Sequence, residues 1–154
     1  MSKEFIFVPY EQVGELKFGM KRSEISGICG EYETSCMYGY PVEDRYLDNY
    51  GYMHTLCNNK ELLEAVELLP ITSSEDICLN YQGNIIKVTP DKDDLLECLD
   101  SLTDDLVEDE DGEGFSSLKL GIKIYCPEDE VEDVLIHDKH CFDEEQEYIE
   151  NNGL

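Results

Sequence analysis

Seven cysteines, three histidines and 37 carboxylic acids are the groups in this chain whose chemistry reaches beyond packing. The thiols are Cys29, Cys36, Cys57, Cys78, Cys98, Cys126 and Cys141. No two of them stand at a C-x-x-C spacing, and most lie inside apolar runs, where a free thiol behaves as a small hydrophobe. Seven is odd, so an oxidising compartment would leave one unpaired; reduced cytosolic thiols are the expectation. A nucleophilic thiol also needs an electropositive setting, which a net charge of −26 opposes. His137-x-x-His140-Cys141 with Cys126 upstream has zinc-ligand types. It lacks the second short-spaced pair that structural zinc sites carry. Asp109-x-Asp111-x-Glu113-Gly114 begins like a calcium loop, but its twelfth position is Leu120 instead of a bidentate glutamate. There is no G-x-S-x-G, phosphate-binding glycine loop or H-E-x-x-H. The sequence therefore predicts no enzyme, no catalytic residue, no metal and no cofactor.

Recognition chemistry is better represented. Residues 91–154 hold 23 of the 37 acids and 4 of the 11 bases. The densest stretch is the acidic loop 104–114, with Asp104, Asp105, Glu108, Asp109, Glu110, Asp111 and Glu113. A run of like charge repels itself, so it calls for a compensating use, such as docking a basic partner. The chain has ten tyrosines and no tryptophan. Tyr38, Tyr40, Tyr46, Tyr50 and Tyr52 crowd one segment. Tyr38/Tyr40 and Tyr50/Tyr52 are two apart, so each pair is predicted to share a strand face. Such rings serve either as half-buried sheet core or as contact anchors.

These groups need elements to hold them. Glu4–Val8 reads as a strand closed by Pro9, and Glu15–Phe18 as a short extended piece. Ile25, Ile28 and Cys29 sit at helical spacing, with Gly30 placed as a C-terminal cap, so Arg22–Cys29 is predicted helical. Asn58-Asn59 marks a turn into a strand over Lys60–Leu69. Asp76–Tyr81 and Ile85–Val88 alternate around Gln82-Gly83-Asn84, a hairpin. Thr89-Pro90-Asp91 predicts a helix from 90 to about 102, with Thr89 as cap and Pro90 at the first helical position. Leu118, Leu120, Ile122 and Ile124 alternate with polar residues, which predicts one strand over 118–125. Val134–Ile136 returns beside it across Pro127–Glu130. Residues 143–154 form a charged tail. The order of elements predicts a single α+β domain over 1–154, an antiparallel β-sheet with two or three helices packed on one face.

Length and charge bound the function. One domain is the default for 154 residues. A folded monomer of 17.7 kDa exposes on the order of 8,000 Å², about one net negative charge per 300 Å². Nucleic acid and anionic membrane are repelled by that surface. No stretch approaches the apolar length of a membrane helix, and Glu4, Pro9, Glu11 and Glu15 interrupt any signal-peptide core. The location expected is cytoplasmic.

Two stretches carry a family likeness. Leu16-Lys-Phe-Gly-Met20, followed by a short helix and Cys29-Gly30, resembles the opening module of the beta-lactamase inhibitor protein and of small outer-membrane assembly lipoproteins. The same opening heads acidic bacterial immunity proteins of contact-dependent inhibition and other polymorphic toxin systems. Phe115–Tyr125 with Val134-Leu-Ile136 resembles the closing hairpin of such toxin-neutralising proteins. Lys21 stands where that module has a capping threonine, which points to Ser23 as the cap. The resemblance implies a protein that binds and blocks one cognate toxin, basic and nuclease-like, through surfaces that differ with each toxin. The alternative is a generic cytosolic protein-binding or regulatory domain whose acidity serves solubility.

Overall fold

Period-two apolar patterns dominate the chain, and among the described residues thirteen strands and two helices result. The structure, a computed structural model, describes residues 2–30, 32–37, 45–73, 76–110 and 112–139. The strands are β1 (Ser2–Val8), β2 (Gln12–Val13), β3 (Leu16–Lys17), β4 (Glu33–Met37), β5 (Arg45–Asn49), β6 (Met53–Cys57) and β7 (Leu63–Leu68), followed by β8 (Asp76–Tyr81), β9 (Asn84–Val88), β10 (Val107–Glu108), β11 (Gly114–Ser117), β12 (Ile122–Tyr125) and β13 (Asp133–His137). The helices are α1 (Arg22–Cys29) and α2 (Lys92–Asp100). The class is α+β, as expected, but the strands divide between two sheets.

The smaller sheet has the order β3-β2-β1-β8-β9 and the larger one β10-β11-β12-β13-β7-β6-β5-β4. The larger sheet is antiparallel throughout. The smaller is mixed, because β1 runs parallel to β8 with Phe5 beside Leu79. A wholly antiparallel sheet was the expectation. A parallel pair needs a long crossover, and residues 9–75 supply it.

Both sheets turn alternate residues into one apolar cluster. Phe7, Ile77, Leu79 and Ile86 enter it from the small sheet; Met53, Val66, Leu68, Ile122 and Ile136 enter from the large one. Ile25 of α1 and Leu95 and Leu99 of α2 fill the same core. Burying a side chain of this size contributes about 1.5–3 kcal/mol.

Helix ends depart from the expected caps. Lys21, not Ser23, is the N-cap of α1, and its backbone N–H donates to the Glu24 carboxylate at 3.4 Å. Ser23 lies inside the helix, where its carbonyl accepts from the Ser26 hydroxyl. Asp91, not Thr89, caps α2, accepting from the Asp94 N–H at 3.1 Å. Pro90 stays outside the helix because its carbonyl is taken by Val131 N–H.

The largest departure is at residues 118–125. They form a hairpin turn and the short β12, not one strand. Gly121 adopts φ +66° and donates its N–H to the Ser117 carbonyl, closing a turn over 118–121. Leu120, Ile122 and Ile124 stay buried, but Leu118 is turned out and is 75% exposed. The alternation holds from 120 onward, and β12 pairs with β13 as expected, Ile124 beside Val134. The expected loop 104–114 contains β10, paired with β11 through Val107 and Ser116. The tail 143–154 lies outside the described residues.

Candidate interaction surface

The acidic segment is held by its own carboxylates. Asp105 Oδ1 accepts from the hydroxyls of Thr103 at 2.7 Å and Ser117 at 2.5 Å, and Oδ2 accepts from Lys119 N–H at 2.8 Å. Desolvation alone would raise the Asp105 pKa; these hydrogen bonds and the Lys119 charge outweigh it and hold the carboxyl down at about 2. Asp109 Oδ1 accepts from the Ser116 hydroxyl at 2.5 Å. Its N–H bonds the Gly114 carbonyl. Gly114 is obligatory there, since a Cβ would stand 2.2 Å from the Ile124 carbonyl oxygen. Asp105 and Asp109 therefore build the hairpin, while Glu108, Glu110 and Glu113 are left exposed on it. Asp104 is exposed too and pairs with Lys119 Nζ, which lowers its carboxyl pKa. Asp111 lies outside the described residues. Val107 is 60% exposed within the same segment.

Beside this hairpin is a concave acidic surface that the sequence alone did not single out. A cavity of about 510 Å³ is lined by Pro90, Asp91, Lys92, Asp93, Asp129 and Glu130. The α2 cap and the β12–β13 turn meet here, joined by the Asp91–Glu130 bridge. Lys92 Nζ bonds Asp129 at 2.9 Å and stands 5.5 Å over the Phe115 ring of β11. Lys92 therefore touches both the cavity and the hairpin. Its four acids face one lysine. No short-range motif joins residues 91–93 to 129–130, so only the fold reveals the group.

The expected tyrosine anchors serve differently. Tyr50 and Tyr52 flank Gly51 in the β5–β6 turn and do not share a strand. Gly51 at φ +94° breaks the extended run. Both rings are half-buried against the core. Tyr52 stacks on Phe5, with Lys3 Nζ 4.4 Å above it. The Tyr50 hydroxyl is buried with no hydrogen-bond partner among the described residues, and burial pushes its pKa up. Tyr38 and Tyr40 lie outside the described residues.

A second polar cluster sits under α1. Arg22 grips the fully buried Asp48 with two bonds of 2.8 Å and Glu61 with one of 3.0 Å. Its guanidinium lies 4.4 Å over the Tyr46 ring and 5.6 Å from that of Tyr32. The Asp48 hydrogen bond is the main cause that raises the Arg22 pKa. This group locks helix to sheet, and both guanidinium edges are occupied.

Burial raises the pKa of Cys29, Cys98 and Cys126 and pushes that of Cys57 up to about 12. These thiols stay protonated at neutral pH. His137 is buried on β13 with Nδ1 2.8 Å from the Asp138 carbonyl, and desolvation lowers its pKa. His140 and Cys141 lie outside the described residues. Among the described residues no three His, Cys, Asp or Glu side chains gather as a metal site, and no helix is long and apolar enough to cross a membrane. Comparison with family models, with curated proteins and with solved structures returns no match for the chain.

Proposed function

We propose that this chain is an immunity protein that captures and blocks one basic, nuclease-like toxin in the bacterial cytosol. The observation that carries the reading is the acid-lined cavity of about 510 Å³, whose Lys92 reaches over Phe115 of the β10–β11 hairpin. A concave surface of Asp91, Asp93, Asp129 and Glu130 suits an arginine or lysine side chain of the partner. The exposed Glu108, Glu110 and Glu113 draw in the basic surface around it. Since Asp105 and Asp109 pre-order the hairpin, little entropy is lost on docking. Free thiols at Cys29, Cys57, Cys78, Cys98 and Cys126 accord with a reducing location.

The test is kinetic, with the purified basic protein encoded beside this chain as the probe. Charge reversal of Asp93, Glu108, Glu110, Glu113 and Glu130 to Lys should slow association by at least about tenfold at low salt and much less at high salt. Dissociation should change little. An unchanged on-rate at low ionic strength removes the acidic surface from the mechanism. Failure of the neighbouring protein to bind at all removes the immunity reading.

A further inference from the structure

Tyr10 holds a backbone conformation that is unfavourable for a bulky side chain. It follows Pro9 in the tight turn between β1 and β2, which Glu11 N–H closes on the Val8 carbonyl. Its φ is +64°, a value that turns usually fill with glycine or asparagine. A residue strained in this way persists where its surroundings hold it, and such residues gather at functional positions. The groups that hold Tyr10 come from residue 118 onward. Its ring meets His137 of β13 edge-on, with centroids 5.9 Å apart. The ring also lies against Gly121, where an added Cβ would stand 3.1 Å from a ring carbon. Its hydroxyl donates to the Leu118 carbonyl.

That carbonyl shares a peptide unit with the Lys119 N–H, which donates to Asp105 Oδ2 at 2.8 Å. In a trans peptide the two groups point in opposite directions. Tyr10 therefore holds one edge of the 118–119 peptide and Asp105 the other. Hydrogen bonds in series of this kind polarise one another. Asp105 also accepts from the Thr103 and Ser117 hydroxyls, so it ties the segment before β10 to the turn after β11. Burial, then the charge of Asp105, raises the Tyr10 pKa, which keeps the hydroxyl a donor at neutral pH.

We propose that Tyr10 is a positioning residue of the acidic hairpin: it clamps the 118–119 peptide against Asp105 and so fixes the β10–β11 surface in its docking shape. The inference rests on the reading that this surface captures a basic protein. Tyr10 contributes no charge. Its effect is pre-ordering, which acts on dissociation and does not respond to salt. The exposed acids act on association and do respond.

Two variants separate the clamp from the turn. Tyr10→Phe keeps the ring and the backbone strain but loses the hydroxyl. Tyr10→Gly relieves the strain and loses the ring as well. Hydrogen exchange of the full chain should show the Lys119 amide speeding at least about fivefold in both, while the Leu79 amide in the core of β8 stays at the parent rate. Combining Tyr10→Phe with Asp105→Ala should add little to the faster single variant, because both release the same peptide. With the purified basic protein encoded beside this chain as probe, Tyr10→Phe should raise the dissociation rate at least about threefold, equally in about 0.05 M and about 0.5 M NaCl. Association should stay at the parent rate. Parent-like exchange at Lys119 in both variants overturns the proposal, and so does a rise shared by Leu79, which is global loosening. Full additivity with Asp105→Ala, or unchanged dissociation from a protein that binds the parent, overturns it too. Should that protein fail to bind the parent chain, the capture reading falls, and the exchange measurements still decide the clamp.

Discussion

Arg22 ties α1 to the large sheet through both charge and ring contacts. It spans from the first turn of α1 to a fully buried carboxylate on β5 and lies against two rings. Removing one partner of such a pair leaves the other charge buried, which costs about 3–5 kcal/mol. Arg22→Ala should lose that much in urea unfolding, and adding Asp48→Asn should recover part of it. Arg22→Lys should not substitute, because a point charge cannot make the two-bond grip. Asp133 presents the opposite case. Desolvation, then the charges of Glu67 and Glu132, raise its pKa to about 7. Its folded-state pKa lies above the unfolded value near 4, so its contribution to stability is fully present below that value. It is lost as pH rises toward 7. Asp133→Asn should therefore raise Tm at pH 8 and leave it nearly unchanged at pH 4. A gain of equal size at both values would show that burial of the charge is not the cause.

At the scale of elements, Asp105 decides whether the β10–β11 hairpin exists as a shaped surface. Asp105→Ala removes three hydrogen bonds at once. Exchange of the Lys119 amide, which Asp105 holds, should speed at least about tenfold. Acidification should do the same as pH falls toward 2, since a depressed carboxyl gives up its contribution only there. None of this was visible in the sequence, because an acid inside an acidic run reads as solvated and its partners stand up to fourteen residues away. Elements set by local pattern were legible: α1 matches its expected bounds Arg22–Cys29, and β8 and β9 meet at the expected turn. The turn at 118–121 was hidden because Leu118 and Leu120 keep the alternation through it. A period-two pattern carries no mark of the positive φ at Gly121. Pairings decided by distant segments, such as β1 with β8 or Arg22 with Asp48, have no local signature at all.

Across the whole molecule, a charge of −26 is a standing load on the folded state. Unfolding separates the acids and relieves part of their repulsion. Ion pairs offset part of it: among the described residues Arg22, Arg45, Lys92 and Lys119 each face an acid within 3.3 Å. Adding NaCl from about 0.01 to 0.5 M shortens the Debye length from about 30 Å toward 4 Å. Tm should rise by several degrees over that range and level off. A flat or falling Tm would mean that the local pairs outweigh the net field. Two salt effects would then coexist in one molecule, since screening steadies the fold while it would slow the proposed capture of a basic protein.

The position of β1 at the middle of the small sheet also bears on how the chain is made. Ser2 pairs with Asp76, so the first strand has no parallel neighbour until β8 has left the ribosome. At about 5–20 residues per second, that is a wait of several seconds, during which β1 has only the short β2 and β3 beside it and Phe5 and Phe7 lack the cover of β8. The large sheet has four of its eight strands by then, β4 to β7, and waits as well, because β7 pairs with the distant β13. Neither sheet can close on a half-synthesised chain. Closure of both sheets thus waits on strands far downstream, and a ribosome stalled near residue 70 would display β1 without β8, an apolar segment suited to chaperone capture.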